Sequence, residues 1–100
     1  MKCYELLNQT DSNTPGAGFS INSRTPGARG ILVSSSTDSN ATAAYQVSFD
    51  DGTTWRTYVS QTPGGTNEDA AETVPLAPLV RINPANLDSG TMVCKLYVKG

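Results

Sequence analysis

The sequence has no histidine, and charged residues make up only 16% of its 100 positions. Without histidine, neither Ser-His-Asp nor Cys-His catalysis can operate, and the commonest general base is absent. The two cysteines alone cannot supply the ligands of an ordinary structural zinc site. We therefore expect no enzymatic activity, no bound metal and no cofactor.

Basic residues and long apolar runs are also scarce. The net charge is -2 and the sequence pI is about 4.8, so no positive field would attract the phosphates of a nucleic acid. The apolar runs extend over only a few residues, which is too short for a transmembrane helix. Lys2 and Glu5 place charges where the apolar core of a signal peptide would run, so we expect synthesis in a cytoplasm without secretion.

The two cysteines, Cys3 and Cys94, lie near opposite ends of the chain in strand-like segments. One interpretation is a disulfide that joins the first strand to the last. The other is a pair of buried thiols, which we favour because no secretion signal is present.

Short segments of alternating apolar and polar residues recur about every ten residues, separated by Pro-Gly, Asp-Gly and Ser-Gly turns. This pattern predicts a single domain over residues 1–100, an antiparallel β-sandwich of seven or eight short strands with Greek-key or jelly-roll connections. Residues 67–72 are compatible with one helical turn, and prolines restrict 73–76 to an edge strand or an extended tether. The predicted strands cover 2–9, 19–23, 31–35, 43–49, 54–61, 73–76, 79–83 and 91–99.

The most specific local pattern is the run Ser48-Phe49-Asp50-Asp51-Gly52-Thr53-Thr54-Trp55. Asp-Gly between two alternating segments is a strong hairpin signal, because glycine accepts the positive φ of a tight turn. The turn set is Ser48, Asp50, Gly52, Thr54 and Trp55, in which the Asp50 carboxylate should bind backbone amides and the hydroxyls should add contacts.

The register of this hairpin follows from its aromatic residues. One extra, bulged residue in the loop would pair Phe49 with Trp55 across the strands. In that register Tyr45, Val47 and Phe49 face the core together with Trp55, Thr57 and Val59, and Tyr58 is the plausible exposed aromatic.

Two clusters of carboxylates could be read as functional sites. Asp50 and Asp51 resemble a catalytic pair, but adjacent side chains at a hairpin tip diverge and a turn role explains Asp50. Glu68, Asp69 and Glu72 could gather as calcium ligands, although a solvated acidic loop is the favoured interpretation.

The run from Ser48 to Trp55 also resembles the Asp box, Ser-x-Asp-x-Gly-x-Thr-Trp, at every position. Asp boxes are best known from sialidase-like propellers, where they recur once in each blade away from the catalytic centre. The resemblance implies a turn that stabilises the fold. A propeller itself is excluded, because 100 residues would build only about one and a half blades and the motif is present once.

A broader pattern covers residues 43–100: Tyr-x-Val-Ser-Phe-Asp, the Asp-Gly turn, a long loop, Leu-Val-Arg-Ile, and a last strand that ends in Val-Lys-Gly. It resembles small β-sandwich accessory proteins of tailed-bacteriophage virions, such as head decoration and tail modules. The resemblance implies a virion location, capsid or tail subunits as partners, and docking through the arms at 10–30 and 62–78. A homo-oligomer is left open. The candidate partner-binding residues are Arg24, Arg29, Tyr58, Glu68 and Asp69.

The alternative function is a carbohydrate-binding module. It would recognise glycans through an exposed aromatic residue, Tyr58 or Tyr97, and through polar loop residues. A small hydrolase with a carboxylate pair is the weakest interpretation.

Overall fold

A computed structural model describes residues 2–21, 29–63 and 70–98. Within these ranges the chain forms eight β-strands and no helix. Their bounds are β1 Lys2–Thr10, β2 Phe19–Ser20, β3 Arg29–Ser36, β4 Thr42–Ser48, β5 Arg56–Gln61, β6 Ala70–Pro75, β7 Leu79–Ala85 and β8 Thr91–Val98.

The strands form two four-stranded sheets, in the orders β1-β8-β3-β6 and β2-β7-β4-β5. Every pairing is antiparallel, and four of the pairs are nested in the sequence: β1 with β8, β2 with β7, β3 with β6, and β4 with β5. A long hairpin wound into two sheets in this way is a jelly roll. The predicted antiparallel β-sandwich is therefore confirmed.

The core fills the space between the two sheets, because alternate residues of each strand point inward. In β8, for example, Met92, Cys94 and Leu96 are fully buried while Lys95 is exposed. Full burial of an aliphatic side chain of this size contributes about 1.5–3 kcal/mol. The buried apolar set is Leu6, Leu7, Ile21, Leu32, Ala41, Ala43, Tyr45, Val47, Val74, Ala77, Val80, Ile82, Leu87, Met92, Cys94, Leu96 and Val98.

Two side-chain hydroxyls connect one sheet to the other. The hydroxyl of Ser34 in β3 donates to Oε1 of Gln61 in β5 over 2.7 Å. The hydroxyl of Tyr45 in β4 donates to the carbonyl oxygen of Pro75 in β6 over 2.8 Å. Both bonds pair polar groups that would otherwise be costly to bury, and both lie on the side of the sandwich where β5 and β6 are edge strands.

The strand β1 departs from the predicted alternation. Its ladder with β8 shifts between Glu5 and Leu7, so Leu6 and Leu7 are both buried instead of facing opposite ways. Cys3 is exposed and Cys94 is buried, and both are free thiols. The disulfide is therefore absent, and the expectation that both thiols are buried is wrong for Cys3.

Ala70–Pro75 forms the edge strand β6, paired with β3. The predicted edge strand at 73–76 is therefore confirmed for residues 73–75, whereas residues 70–72 belong to the strand and not to the helical turn that the sequence suggested. The part of that turn at 67–69 lies outside the described residues.

At one end of the sandwich, Asp38 joins two loops. Its Oδ1 accepts a hydrogen bond from the amide of Asn40 at 2.9 Å. Its Oδ2 accepts from the amides of Asp88 at 3.1 Å and Ser89 at 3.0 Å. These amide bonds, first those of Asn40 and Ser89, lower the pKa of Asp38 although its burial acts in the opposite direction.

Candidate functional site

The hairpin between β4 and β5 is closed by hydrogen bonds of its own residues. The Asp50 carboxylate accepts from the amide of Thr54 at 2.8 Å and from the hydroxyl of Ser48 at 2.9 Å. The Ser48 oxygen in turn accepts from the amide of Gly52 at 2.9 Å. The expected contact between Asp50 and a loop amide is therefore present. The amide of Thr54 is also the main cause of the lowered pKa of Asp50.

The backbone of the turn explains its Asp-Gly pair. Asp51 has a φ of 60° and Gly52 a φ of 87°. The amide of Thr53 donates to the carbonyl of Asp50 over 3.3 Å, which closes a four-residue turn. Two consecutive positive φ values are characteristic of a type I′ turn, for which Asp-Gly is a preferred pair.

Trp55 does not enter the core, contrary to the register expected from the sequence. It is half-buried on the outer face of the sheet, where the Arg81 guanidinium carbon lies 4.4 Å from the centroid of its ring. Arg81 also donates from Nε to Oε1 of Gln46 over 2.8 Å. Gln46 Nε2 donates to the hydroxyl of Thr57, so Thr57 also lies on this outer face rather than beside the core.

Phe49 is the second correction. It is 70% exposed and does not pack on Trp55, because β4 ends at Ser48 and Phe49 already belongs to the loop. Of the six side chains expected to face the core, Tyr45 and Val47 are buried and Val59 packs against the core cluster.

A bulge in β5 accounts for the altered register. Tyr45 pairs with Val59 and Gln46 pairs with Thr57, so Tyr58 is the extra residue between two successive partners. The expected bulge is thus inside the strand and not in the loop. Tyr58 is 51% exposed, as expected, but it points to the same edge groove as the core residue Val47.

This groove, which we call the edge groove, is the candidate functional site. It is an open depression of about 290 Å³ between the edge strand β5 and the segment that connects β6 to β7. Its surface is mainly apolar, and two of its members, Phe49 and Tyr58, are large side chains that solvent reaches. The lining residues are Val47, Phe49, Arg56, Thr57, Tyr58, Pro75, Leu76 and Ala77.

A second, more polar depression of about 250 Å³ adjoins the edge groove. It is lined by Phe49, Asp50, Thr54 and Arg56. Phe49 and Arg56 belong to both depressions, so an aromatic ring and a guanidinium lie at their boundary. Such a combination can hold an apolar group and a negatively charged group at the same time.

Of the two predicted partner-binding residues that the structure describes, Tyr58 lines the edge groove and Arg29 does not. Arg29 is exposed in β3, opposite Pro75 of the groove in the β3–β6 ladder. Arg24, Glu68 and Asp69 lie outside the described residues. Among the described residues, no group of three or more Cys, Asp or Glu side chains could hold a metal ion.

Comparison with protein-family models, with curated proteins and with solved structures finds no match to this chain. Over the described ranges, no helix is long and apolar enough to cross a membrane. The site is therefore interpreted from its own geometry.

Sequence reasoning missed most of the groove. The predicted aromatic pairing places Phe49 in the core, and no motif in the sequence distinguishes Arg56. A usable signal was the Pro75-Leu76-Ala77-Pro78 segment, whose prolines keep the chain extended and leave Leu76 beside the edge of the sheet.

Proposed function

We propose that this chain is a non-enzymatic structural protein of a bacteriophage virion, docked on capsid or tail subunits. The observation that carries the proposal is the edge groove, where Phe49 and Tyr58 expose large apolar surfaces next to one another. Solvent-exposed aromatic residues around an apolar depression are typical of surfaces that bind other proteins.

The fold and the sequence pattern support the same function. Jelly rolls recur in viral capsid proteins, although a fold by itself does not determine a function. The pattern over residues 43–100 resembles virion accessory proteins and includes most of the groove. The hydrogen-bonded turn at Ser48 and Asp50 holds one wall of the groove, since Phe49 lies between these two residues.

Mass spectrometry of density-purified particles of the encoding phage tests the proposal. We expect the chain in the particles at a fixed ratio to the major capsid or a tail protein. Its presence only in the lysate, never in washed particles, would refute the virion assignment.

A variant pair then tests the groove. Phe49→Ser should reduce the amount of the chain on particles at least several-fold while the circular dichroism spectrum is unchanged. Ile31→Ser is the matched control, because Ile31 is 43% exposed and does not line the groove. Equal loss for both variants would contradict a docking role of the groove.

Carbohydrate binding is the second candidate, favoured by the exposed ring of Tyr58, which lines the edge groove together with the polar residues Arg56 and Thr57. An aromatic face with adjacent polar groups is suited to stacking on a sugar. A glycan array on which one glycan class binds selectively, and on which Tyr58→Ala abolishes that binding, would establish this function instead.

A further inference from the structure

The edge groove has a charged rim as well as an apolar wall. Arg56 lines both depressions, and it makes no ion pair with any residue in the described ranges. Arg81, by contrast, is occupied by Trp55 and Gln46. Within the described part of the chain, the guanidinium of Arg56 is thus left without a carboxylate partner.

The carboxylate that lines the polar depression together with Arg56, that of Asp50, already has hydrogen-bond partners. Asp50 accepts hydrogen bonds from Thr54 and Ser48 within the turn, and these bonds favour its ionised form. Its geometry is fixed by the hairpin, so it does not substitute for an anion in the edge groove.

Arg29 does not contribute to this rim. It pairs with Pro75 in the β3–β6 ladder, but its exposed side chain lies on the outer face of that sheet, because Gly30 and Leu32 face the core. Although the whole chain carries a net charge of -2, the cation in the lining of the edge groove is therefore Arg56. Charge complementarity favours a negatively charged occupant.

The size of the groove limits what it can hold. At about 290 Å³ it lies at the lower limit of the roughly 300–1,000 Å³ range of ligand pockets. This volume suits one bulky side chain, and it is small for an oligosaccharide or for the face of a helix.

We propose that the edge groove binds a segment of a protein partner in which a bulky aliphatic or aromatic side chain lies next to a carboxylate. The apolar side chain lies between Phe49, Tyr58 and Leu76. The carboxylate pairs with Arg56 at the rim. This inference rests on the proposed docking function and specifies the chemistry that the partner presents.

The test uses the full chain, labelled with ¹⁵N, and two probes that differ only in charge. N-acetylphenylalanine carries a carboxylate and N-acetylphenylalaninamide does not. We expect the first probe to shift the amide signals of Phe49, Arg56 and Leu76 in a saturable manner. The neutral probe should bind about threefold more weakly, the size expected for one exposed ion pair.

Two variants separate the effect of the Arg56 charge in the groove from the effect of the net charge of the protein. Arg56→Gln should remove the preference for the charged probe, whereas Lys95→Gln should preserve it, because Lys95 is exposed on β8 and does not line the groove. Equal affinity of the native chain for both probes, or saturable shifts confined to other surfaces, would overturn the inference.

A glycan control distinguishes the competing occupant. Larger saturable shifts of the groove signals with a trisaccharide such as maltotriose than with N-acetylphenylalanine would also overturn the inference. Because these titrations use the isolated chain, they can fail while the chain is still found in particles, and they can succeed when it is not.

Discussion

The hydroxyl of Tyr45 donates a hydrogen bond to the carbonyl oxygen of Pro75 across the core, over 2.8 Å. Tyr45 is in the sheet of β4 and Pro75 is at the end of β6 in the other sheet, where it lines the edge groove. One buried hydroxyl therefore connects the two sheets at the position where the groove opens.

Tyr45→Phe should lower the free energy of unfolding by about 1 kcal/mol, because it removes this hydrogen bond and keeps the ring. Urea denaturation followed by circular dichroism measures the change. Tyr97→Phe is the control, since the Tyr97 hydroxyl makes no hydrogen bond within the described ranges. Equal destabilisation by the two substitutions would contradict the assigned role of the Tyr45 hydroxyl.

Asp50→Ala should lower the melting temperature by several degrees, because it removes the acceptor for the Thr54 amide and the Ser48 hydroxyl. Asp51→Asn should have little effect, since asparagine tolerates the positive φ of 60° at that position. Differential scanning calorimetry of both variants is the measurement. A larger loss for Asp51→Asn than for Asp50→Ala would show that the turn is held differently.

Acid should destabilise the protein through Asp38 and Asp50. Their pKa values are lowered in the folded chain by amide hydrogen bonds, while an unfolded aspartate has a pKa of about 3.9. Their contribution to stability is therefore complete above that value and is lost as the pH falls through the lower folded pKa values.

The urea midpoint should accordingly decrease below about pH 4. Asp38→Asn should be less stable at pH 6 and should show a flatter decrease below pH 4. A decrease identical to that of the native chain would mean that Asp38 does not contribute to the acid transition.

The two thiols should differ in reactivity. Cys3 is exposed, whereas burial raises the pKa of Cys94 to about 12. Because the thiolate is the reactive form, a thiol reagent such as Ellman's should modify one thiol rapidly at pH 8 and the other only on unfolding. The fast phase should be absent from Cys3→Ser, and a fast phase that survives this substitution would contradict the buried position of Cys94.

The same shift predicts an alkaline effect. A solvated thiol has a pKa of about 8.5, so the contribution of the neutral Cys94 to stability is complete below that pH. It should be lost as the pH rises towards the folded pKa of about 12. Cys94→Ala should reduce this alkaline decrease in the urea midpoint relative to the native chain.

The sequence was sufficient to predict most of the strands and the sandwich fold, because the alternation of apolar and polar residues and the turn residues are local signals. It was also sufficient for the contact between Asp50 and the loop backbone, where all partners lie within four residues. It failed for Trp55, whose partner Arg81 comes from a strand that is remote in the sequence. An isolated hairpin gives no indication that a cation will cover its tryptophan on the outer face.

Asp38 was missed for a similar reason. Two of its three amide partners, Asp88 and Ser89, are about 50 residues away, and the jelly-roll topology alone brings the two loops together. The edge groove depends on Tyr58, the bulged residue, whereas the aromatic pairing expected from the sequence placed the bulge in the loop between Phe49 and Trp55.

The pairing of Lys2 with Val98 in the first sheet has a practical consequence for surface immobilisation. The strand β1 is at the edge of its sheet opposite to β6, three strand spacings or about 14 Å away from the groove side. A biotin or an affinity tag joined next to Lys2 or next to Val98 would thus be attached at nearly the same place. Because Val98 pairs with Gly30 and Gly30 pairs with Val74, a support joined there would lie at the end of the strands that leads into Pro75 and the groove, and it would compete with a partner for that side of the molecule.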